Sequence, residues 1–309
     1  MLHELPLERA NLHGHFSRDL PPALTVDPGD SVAFSSLDAG WGIEPPTGDG
    51  SPRERFPDLD PERDAGHAML GPIEVRGAAA GGTLAVHVDE LRVGAYGFTV
   101  AGGWSSPLNE RLGVAQGDAR TLVWTLDAQQ GTGRDQEGRE VALHPFLGVI
   151  GMPPPDPGIH PTQPPRRWGG NIDCAELVEG TTLYLPIPVD GALVSAGDGH
   201  ARQGDGEVSQ LAIEAPMDRA RLTFSLADLE ISNPIARIEG AWLTFGFDED
   251  QDEAAAQAVD GMLDLMGREH GLERRDALAL ASVVVDLRIT QIVNRTKGVH
   301  AILRDDALR

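Results

Sequence analysis

The 309-residue sequence predicts a mainly β fold, sandwich- or barrel-like, with an α/β portion at its C-terminal end. Two observations carry this. Short apolar stretches alternate with turn signals along most of the chain, which holds 37 glycines and 23 prolines, and strands punctuated in this way build sandwiches and barrels. Helical periodicity of apolar residues begins only after about Ala241. Two parts are expected: a β-rich domain over residues 1–240 that carries the candidate site, and an α/β portion over residues 241–309.

Taken in order, ALTVDPGDSVAF reads as strand, Asp-Pro-Gly-Asp turn, strand. GPIEVRGAAAGGTLAVHVDELRV repeats the scheme around a Gly-rich turn. REVALHPFLGVIGM, TTLYLPIPVDGALVSA, VSQLAIEAP and RARLTFSLADLEI continue the strand pattern. Three segments read as loops: Asp38–Gly66, the polar Thr125–Arg139, and Pro153–Gly170, whose prolines exclude a central strand. In DEDQDEAAAQAVDGMLDLMGREHG, acidic residues open a helix, Ala255, Val259, Met262, Leu263 and Met266 recur at helical spacing, and Gly271 ends it. LERRDALALASVVVDLRITQIVN begins as a second helix, whose run Val283–Val285 either continues it or turns into a strand.

Composition narrows the function. Lys+Arg 25 against Asp+Glu 48 gives a net charge of −23, and Lys297 is the only lysine. Phosphate binding and polybasic membrane anchoring need clustered cations, so neither a nucleic-acid nor a membrane partner is expected. No stretch has the length of a bilayer span. The N-terminal MLHELPLERANLHGHFS has neither the basic flank nor the apolar run of a signal peptide, and a cytoplasmic location is expected. A single cysteine, Cys174, excludes an intramolecular disulfide and a Cys-rich zinc cluster.

The most informative stretch is GDGHARQGDGE, Gly197 to Glu207, set between apolar strand sequences. It does not fit a calcium EF-hand loop, because counting from Asp198 puts Arg202 at the fifth position and Ser209 at the twelfth. It has no lysine for a phosphate-binding P-loop, and Arg202 stands where a dinucleotide fingerprint needs glycine. What remains is two glycine-linked pairs, Asp198/His200 and Asp205/Glu207. In an extended chain each pair points to one face, and glycine lets a ligand approach the backbone closely. Asp with neutral His is a divalent-metal ligand set, and a further carboxylate can act as base toward an activated water. The same composition also suits a solvated hairpin turn. Asn171 and Asp173, after Gly169-Gly170, form a third alternating polar pair, and His13 and His15 are again two apart with glycine between. A Gly-x-Ser-x-Gly elbow is absent, and the lone lysine lacks the Gly/Ser-rich loop of a Ser–Ser–Lys amidase. Activated water is therefore the expected nucleophile of any hydrolytic reaction.

The chain resembles the acetamidase/formamidase family. The resemblance rests on HGHFSRDLPPALTVDPGDSVAF, HAMLGPIEVRGA, GGNIDCAELVEGTTLYLPIPVDGALVSAGDGHARQGDGEV, GFDEDQDEA and VVVDLRITQIVNRTKGVHA. The HGHF and LDAGWG forms look more like the acetamidase branch. The resemblance implies hydrolysis of a small aliphatic amide to a carboxylate and ammonia by metal-activated water. Its matched polar residues are His13, His67, Asn171, Asp173, Asp198, His200, Gln203, Asp205 and Glu207. Among these, Asp173, Asp198 and His200 are expected to hold a divalent metal, zinc by preference and calcium as the alternative. Glu207, with Asp205 second, is expected to serve as the base, while His13, His67, Asn171 and Gln203 contact the amide. By the same analogy a homo-oligomer is expected. The competing readings are a lactam or imide hydrolase, and a non-catalytic metal-stabilised β scaffold that binds a small molecule.

Overall fold

The structure, a computed structural model, describes residues 1–308. Among these, the strands form two large sheets. The first runs, neighbour to neighbour, through Leu2–Glu4, Ser31–Ser36, Met217–Ala227, Thr83–Val93, Thr182–Pro186, Ile235–Ile238, Ala241–Asp248, Lys297–Arg304 and Val285–Gln291. The second runs through Glu140–Ala142, Thr132–Asp135, Arg120–Asp127, Tyr96–Ala101, Ile213–Glu214, Val194–Arg202, Phe146–Gly151 and Gly169–Asn171. Met69–Val75 also pairs with Val194–Arg202 and carries Leu12–His13 and Leu24–Val26.

One apolar core holds residues of both sheets: Phe34, Val86 and Phe224 from the first, and Leu70, Leu147 and Val194 from the second. The sheets therefore pack face to face, as the sandwich expectation requires. Alternating burial along Thr83–Val93 and Met217–Ala227 marks strands with one face on this core. Phe146–Gly151 and Val194–Ala201 are buried throughout, so both of their faces are covered.

The two strand–turn–strand units do not form hairpins. Leu24–Val26 belongs to the second sheet and Ser31–Ser36 to the first, and the same holds for Met69–Val75 and Thr83–Val93. Each turn carries the chain across the sandwich. Thr125–Arg139 is not a loop either. Arg120–Asp127 and Thr132–Asp135 pair antiparallel, because Trp124 and Leu126 face inward while polar residues between them face water. The Asp38–Gly66 segment is largely irregular but tied down. The buried Asp38 carboxylate accepts from Arg53 at 2.6 and 2.7 Å, from the Gly40 and Gly42 amides, and from the Tyr96 hydroxyl.

At the C-terminal end, the helix Gln251–His270 starts at Asp250, which accepts from the Asp252 amide, and stops at Gly271 with φ 66°. The helix Arg274–Val284 passes directly into the strand Val285–Gln291. Met262, Met266, Ala277 and Ala281 pack with Val299, Ala301 and Leu303 into a second core. Residues 241–308 thus share a sheet with the rest of the chain while their helices cover one end of it.

His300 lies inside this sheet, its Nδ1 2.8 Å from the Thr290 hydroxyl. Burial, helped by the charge of Arg288, pushes its pKa down to about 4. The folded chain then binds a proton less readily than the unfolded chain between pH 6.5 and 4, so stability falls as pH drops through that window. Urea unfolding at pH 7 and pH 5 should show this. His300→Asn is expected to remove about 2 kcal/mol of the wild-type pH dependence.

Candidate active site

A strand buried on both faces ordinarily carries an unbroken apolar run. Val194–Arg202 carries Asp198 and His200 instead, both buried, and its neighbours supply what they face. Across the ladder, His200 pairs with Phe146 on one side and with Glu214 on the other. The Phe146 ring meets the imidazole edge-on at 4.9 Å. The imidazole Nε2 lies 3.4 Å from Asp198 Oδ1 and 3.4 Å from Glu214 Oε1. Asp173 follows the short strand Gly169–Asn171, and its amide donates to the Gly148 carbonyl at 3.3 Å. Glu207 sits in a turn beyond the strand, where its amide meets the Gly204 carbonyl.

The cluster is compact and buried. Ligand-capable atoms of Asp173, Asp198 and His200 lie within 4.8 Å of one another, and so do those of His200, Glu207 and Glu214. All five side chains are buried. One carboxylate oxygen each on Asp173, Asp198, Glu207 and Glu214, and the His200 Nδ1, have no hydrogen-bond partner among the described residues. Three of the acids, Asp173, Asp198 and Glu207, take left-handed backbone conformations with φ of 53°, 58° and 46°. Such conformations cost energy in non-glycine residues and concentrate at functional sites.

The charges are mismatched. Burial pushes the Asp173 carboxyl well above the usual range, and the neighbouring Glu207 adds to the effect. Burial likewise raises Glu207 to about 8 and raises Glu214. At Asp198 the same burial is outweighed by the nearby His67 and His200, which hold its carboxyl below the ordinary range. Burial alone would depress His200, but Glu214 and Asp198 lift its pKa well above that of free imidazole. Four buried acids face one imidazole, and a positive charge among them would remove most of the penalty.

A divalent cation fits this cradle. Its donors, carboxylate oxygens and an imidazole nitrogen, are those zinc and related ions take. In a tetrahedral zinc site, two ligand atoms stand about 3.4 Å apart. Gly148 forms the floor. A Cβ there would lie 2.5 Å from Asp198 Oδ2, 2.8 Å from Asp173 Oδ1 and 2.9 Å from His200 Cε1. The missing side chain is what leaves the space.

The remaining residues singled out in the sequence lie as follows. Gln203 donates to the Asp173 carbonyl at 2.7 Å, and its own oxygen is buried without a partner. Asn171 donates to the Gln163 carbonyl at 3.2 Å and also keeps a free buried oxygen. His67 Nδ1 meets the Thr162 hydroxyl at 2.9 Å, and the ring lies near enough to help lower the carboxyls of Asp198 and Glu214. His13 is engaged at both ring nitrogens, donating from Nδ1 to the His15 carbonyl at 2.7 Å and meeting the Ser195 hydroxyl through Nε2 at 3.0 Å. Asp205, the second candidate base, turns out of the cluster: it is exposed, its carboxylate 3.6 Å from the Arg288 guanidinium. Two contributors carry no local signature. Glu214 sits in the apolar string LAIEA, and only the ladder brings it to His200. Asn294 comes from the C-terminal segment, where its Nδ2 donates to Asp173 Oδ2 at 3.0 Å. Gln291 holds Asn294 in place through its amide.

The acetamidase of Mycolicibacterium smegmatis is 27% identical over 255 residues, 64% of this chain. That match spans 61% of the acetamidase's own length, less than two thirds of it. The crystal structure of an acetamidase from Bacillus halodurans superposes with a TM-score of 0.83 at 27% identity, covering 97% of each chain. A predicted acetamidase/formamidase from Thermoanaerobacter tengcongensis gives 0.85 at 26% identity over 99% of this chain and 96% of that one. A family model described as the Acetamidase/Formamidase family matches residues 3–160 and 155–303, and the chain belongs to that family.

Proposed function

We propose that this chain hydrolyses a small aliphatic amide of the acetamide or formamide type to a carboxylate and ammonia, with a divalent cation as cofactor. The observation that carries the reading is the meeting of Asp173, Asp198, His200, Glu207 and Glu214 in one buried cluster of a chain of this family. Asp173, Asp198 and His200 hold the cation. Zinc is preferred because an imidazole nitrogen joins the carboxylates, and calcium is the alternative for so oxygen-rich a set. When bound, the cation supplies a Lewis acid that polarises the amide carbonyl and lowers the pKa of water beside it.

The protein residues do the rest. Glu214 faces the same edge of the imidazole as Asp198, and the two fix the orientation of the ring. Asn294 and Gln203 hold Asp173 by its carboxylate and its carbonyl. Glu207 takes the proton from the attacking water and delivers it to the leaving nitrogen. Its buried carboxyl, in one cluster with His200 and Glu214, is placed to hold that proton between the two transfers. The free oxygens of Asn171 and Gln203 are acceptors for the amide N–H groups. His67 stands beside Asp198, where it favours the ionised carboxylate, and His13 anchors the site strand through Ser195.

Purified protein should release ammonia from formamide or acetamide, lose this activity to a chelator, and regain it with zinc. Stabilisation by the cation without turnover of these amides or of a lactam would favour a binding scaffold instead. Glu207→Gln should lower kcat by roughly 100-fold or more while cation binding persists; full turnover with the cation bound would remove Glu207 from the role of base. Gly148→Ala fills the floor of the cradle. It should abolish the thermal stabilisation that zinc confers, about 3 kcal/mol at a hundredfold excess over Kd, and activity with it.

A further inference from the structure

We propose that a second copy of this chain docks edge to edge on the strand Val285–Gln291, so that the first sheet continues across a two-fold axis at Leu287. This strand ends the nine-stranded sheet. One side pairs with Lys297–Arg304. The other is met only at its C-terminal end, where the Gly206 amide donates to the Thr290 carbonyl and the Ile292 amide to the Gly206 carbonyl. The segment from Val285 to Ile289 has no strand beside it among the described residues.

The direction of the free main-chain groups follows from the ladder. The Asp305 amide donates to the Gly240 carbonyl, so odd-numbered residues of the strand Lys297–Arg304 bond toward Ala241–Asp248 and even-numbered ones toward the edge strand. Ile302 opposes Asp286 and His300 opposes Arg288. The main-chain groups of Asp286 and Arg288 therefore point inward, and those of Leu287 and Ile289 point out. An antiparallel copy satisfies them in three registers, centred on Asp286, Leu287 or Arg288. The first sets two aspartates face to face and the third two arginines. Only the register centred on Leu287 sets Asp286 against Arg288, twice, at the pairing position where side chains come closest.

The side chains point the same way. Leu287 and Ile289 lie opposite Ala301 and Val299, hence on the sheet face that the C-terminal helices cover. Yet Leu287 is 50% and Ile289 38% exposed, and Val283 at the end of the adjoining helix is 80% exposed. A long edge with an apolar face is a liability in a free chain, and a copy of itself covers it. Asp286 has no ion-pair or hydrogen-bond partner of its own among the described side chains, whereas Arg288 keeps Glu176 at 2.8 Å and Asp205 at 3.6 Å on its own chain. The arrangement is self-complementary, as an isologous interface must be.

Sedimentation velocity or light scattering at micromolar concentration and moderate salt should give at least twice the 32.9 kDa chain mass. Asp286→Arg puts arginines against Arg288, and Leu287→Arg puts two cations on the axis. Each should weaken association by about tenfold or more and halve the assembly mass, with an unchanged circular dichroism spectrum. Mixing Asp286→Arg with Arg288→Asp chains should restore the mass, since each then faces the opposite charge. A wild-type chain that sediments as a monomer up to high micromolar concentration overturns the proposal. So does an assembly whose mass neither Asp286→Arg nor Leu287→Arg changes.

Discussion

Mutual repulsion among four carboxylates sealed from water is the constraint around which this structure is arranged. Asp173, Asp198, Glu207 and Glu214 share a volume that offers them one imidazole and few hydrogen-bond donors. Left to itself such a group would protonate, admit water or spread apart. It is kept together by two fully buried stretches of strand, Phe146–Gly151 and Val194–Ala201, whose ladder cannot shift without exposing the sandwich core. Rigidity comes first here, and the chemistry is imposed on it.

The glycines around the acids serve that imposition. Gly148 leaves the floor open, and Gly197 and Gly199 let neighbouring strands come close, since a Cβ at either would strike backbone of the facing segment. The acids themselves carry the strain. Asp173, Asp198 and Glu207 hold left-handed conformations that a glycine would adopt at less cost. Side chains with charge stand where the backbone would be better served by none, which is expected where function and stability make opposite demands.

Much of this was legible in the sequence, for physical reasons. The β class, the helix from Gln251 to His270 and its stop at Gly271 follow from periodicity and end signals that act over a few residues. The metal-capable pair Asp198/His200 could be read from its residue types and two-residue spacing, and the side chains do meet, although Asp198 leaves the extended conformation with φ 58°. The same spacing misleads at Asp205 and Glu207: Gly204 and Glu207 close a turn there, and the two side chains part. Glu214 was invisible because its partner is supplied by the ladder, and Asn294 because it lies 121 residues from the aspartate it holds. The sheet crossings after Val26 and Val75 were hidden too, since a turn sequence does not say which sheet the next strand will join.

The left-handed acids have one more consequence, for the evolution of such a chain. Replacing Asp173 or Glu207 by glycine or asparagine relieves backbone strain and removes a carboxylate whose ionised form burial disfavours, in a single step. Selection for thermal robustness alone would therefore erode the cluster from within. Its survival in a lineage is a record of continued use, and descendants that have lost their substrate should be recognisable by neutral residues at positions 173 and 207, on an otherwise intact and hardier scaffold.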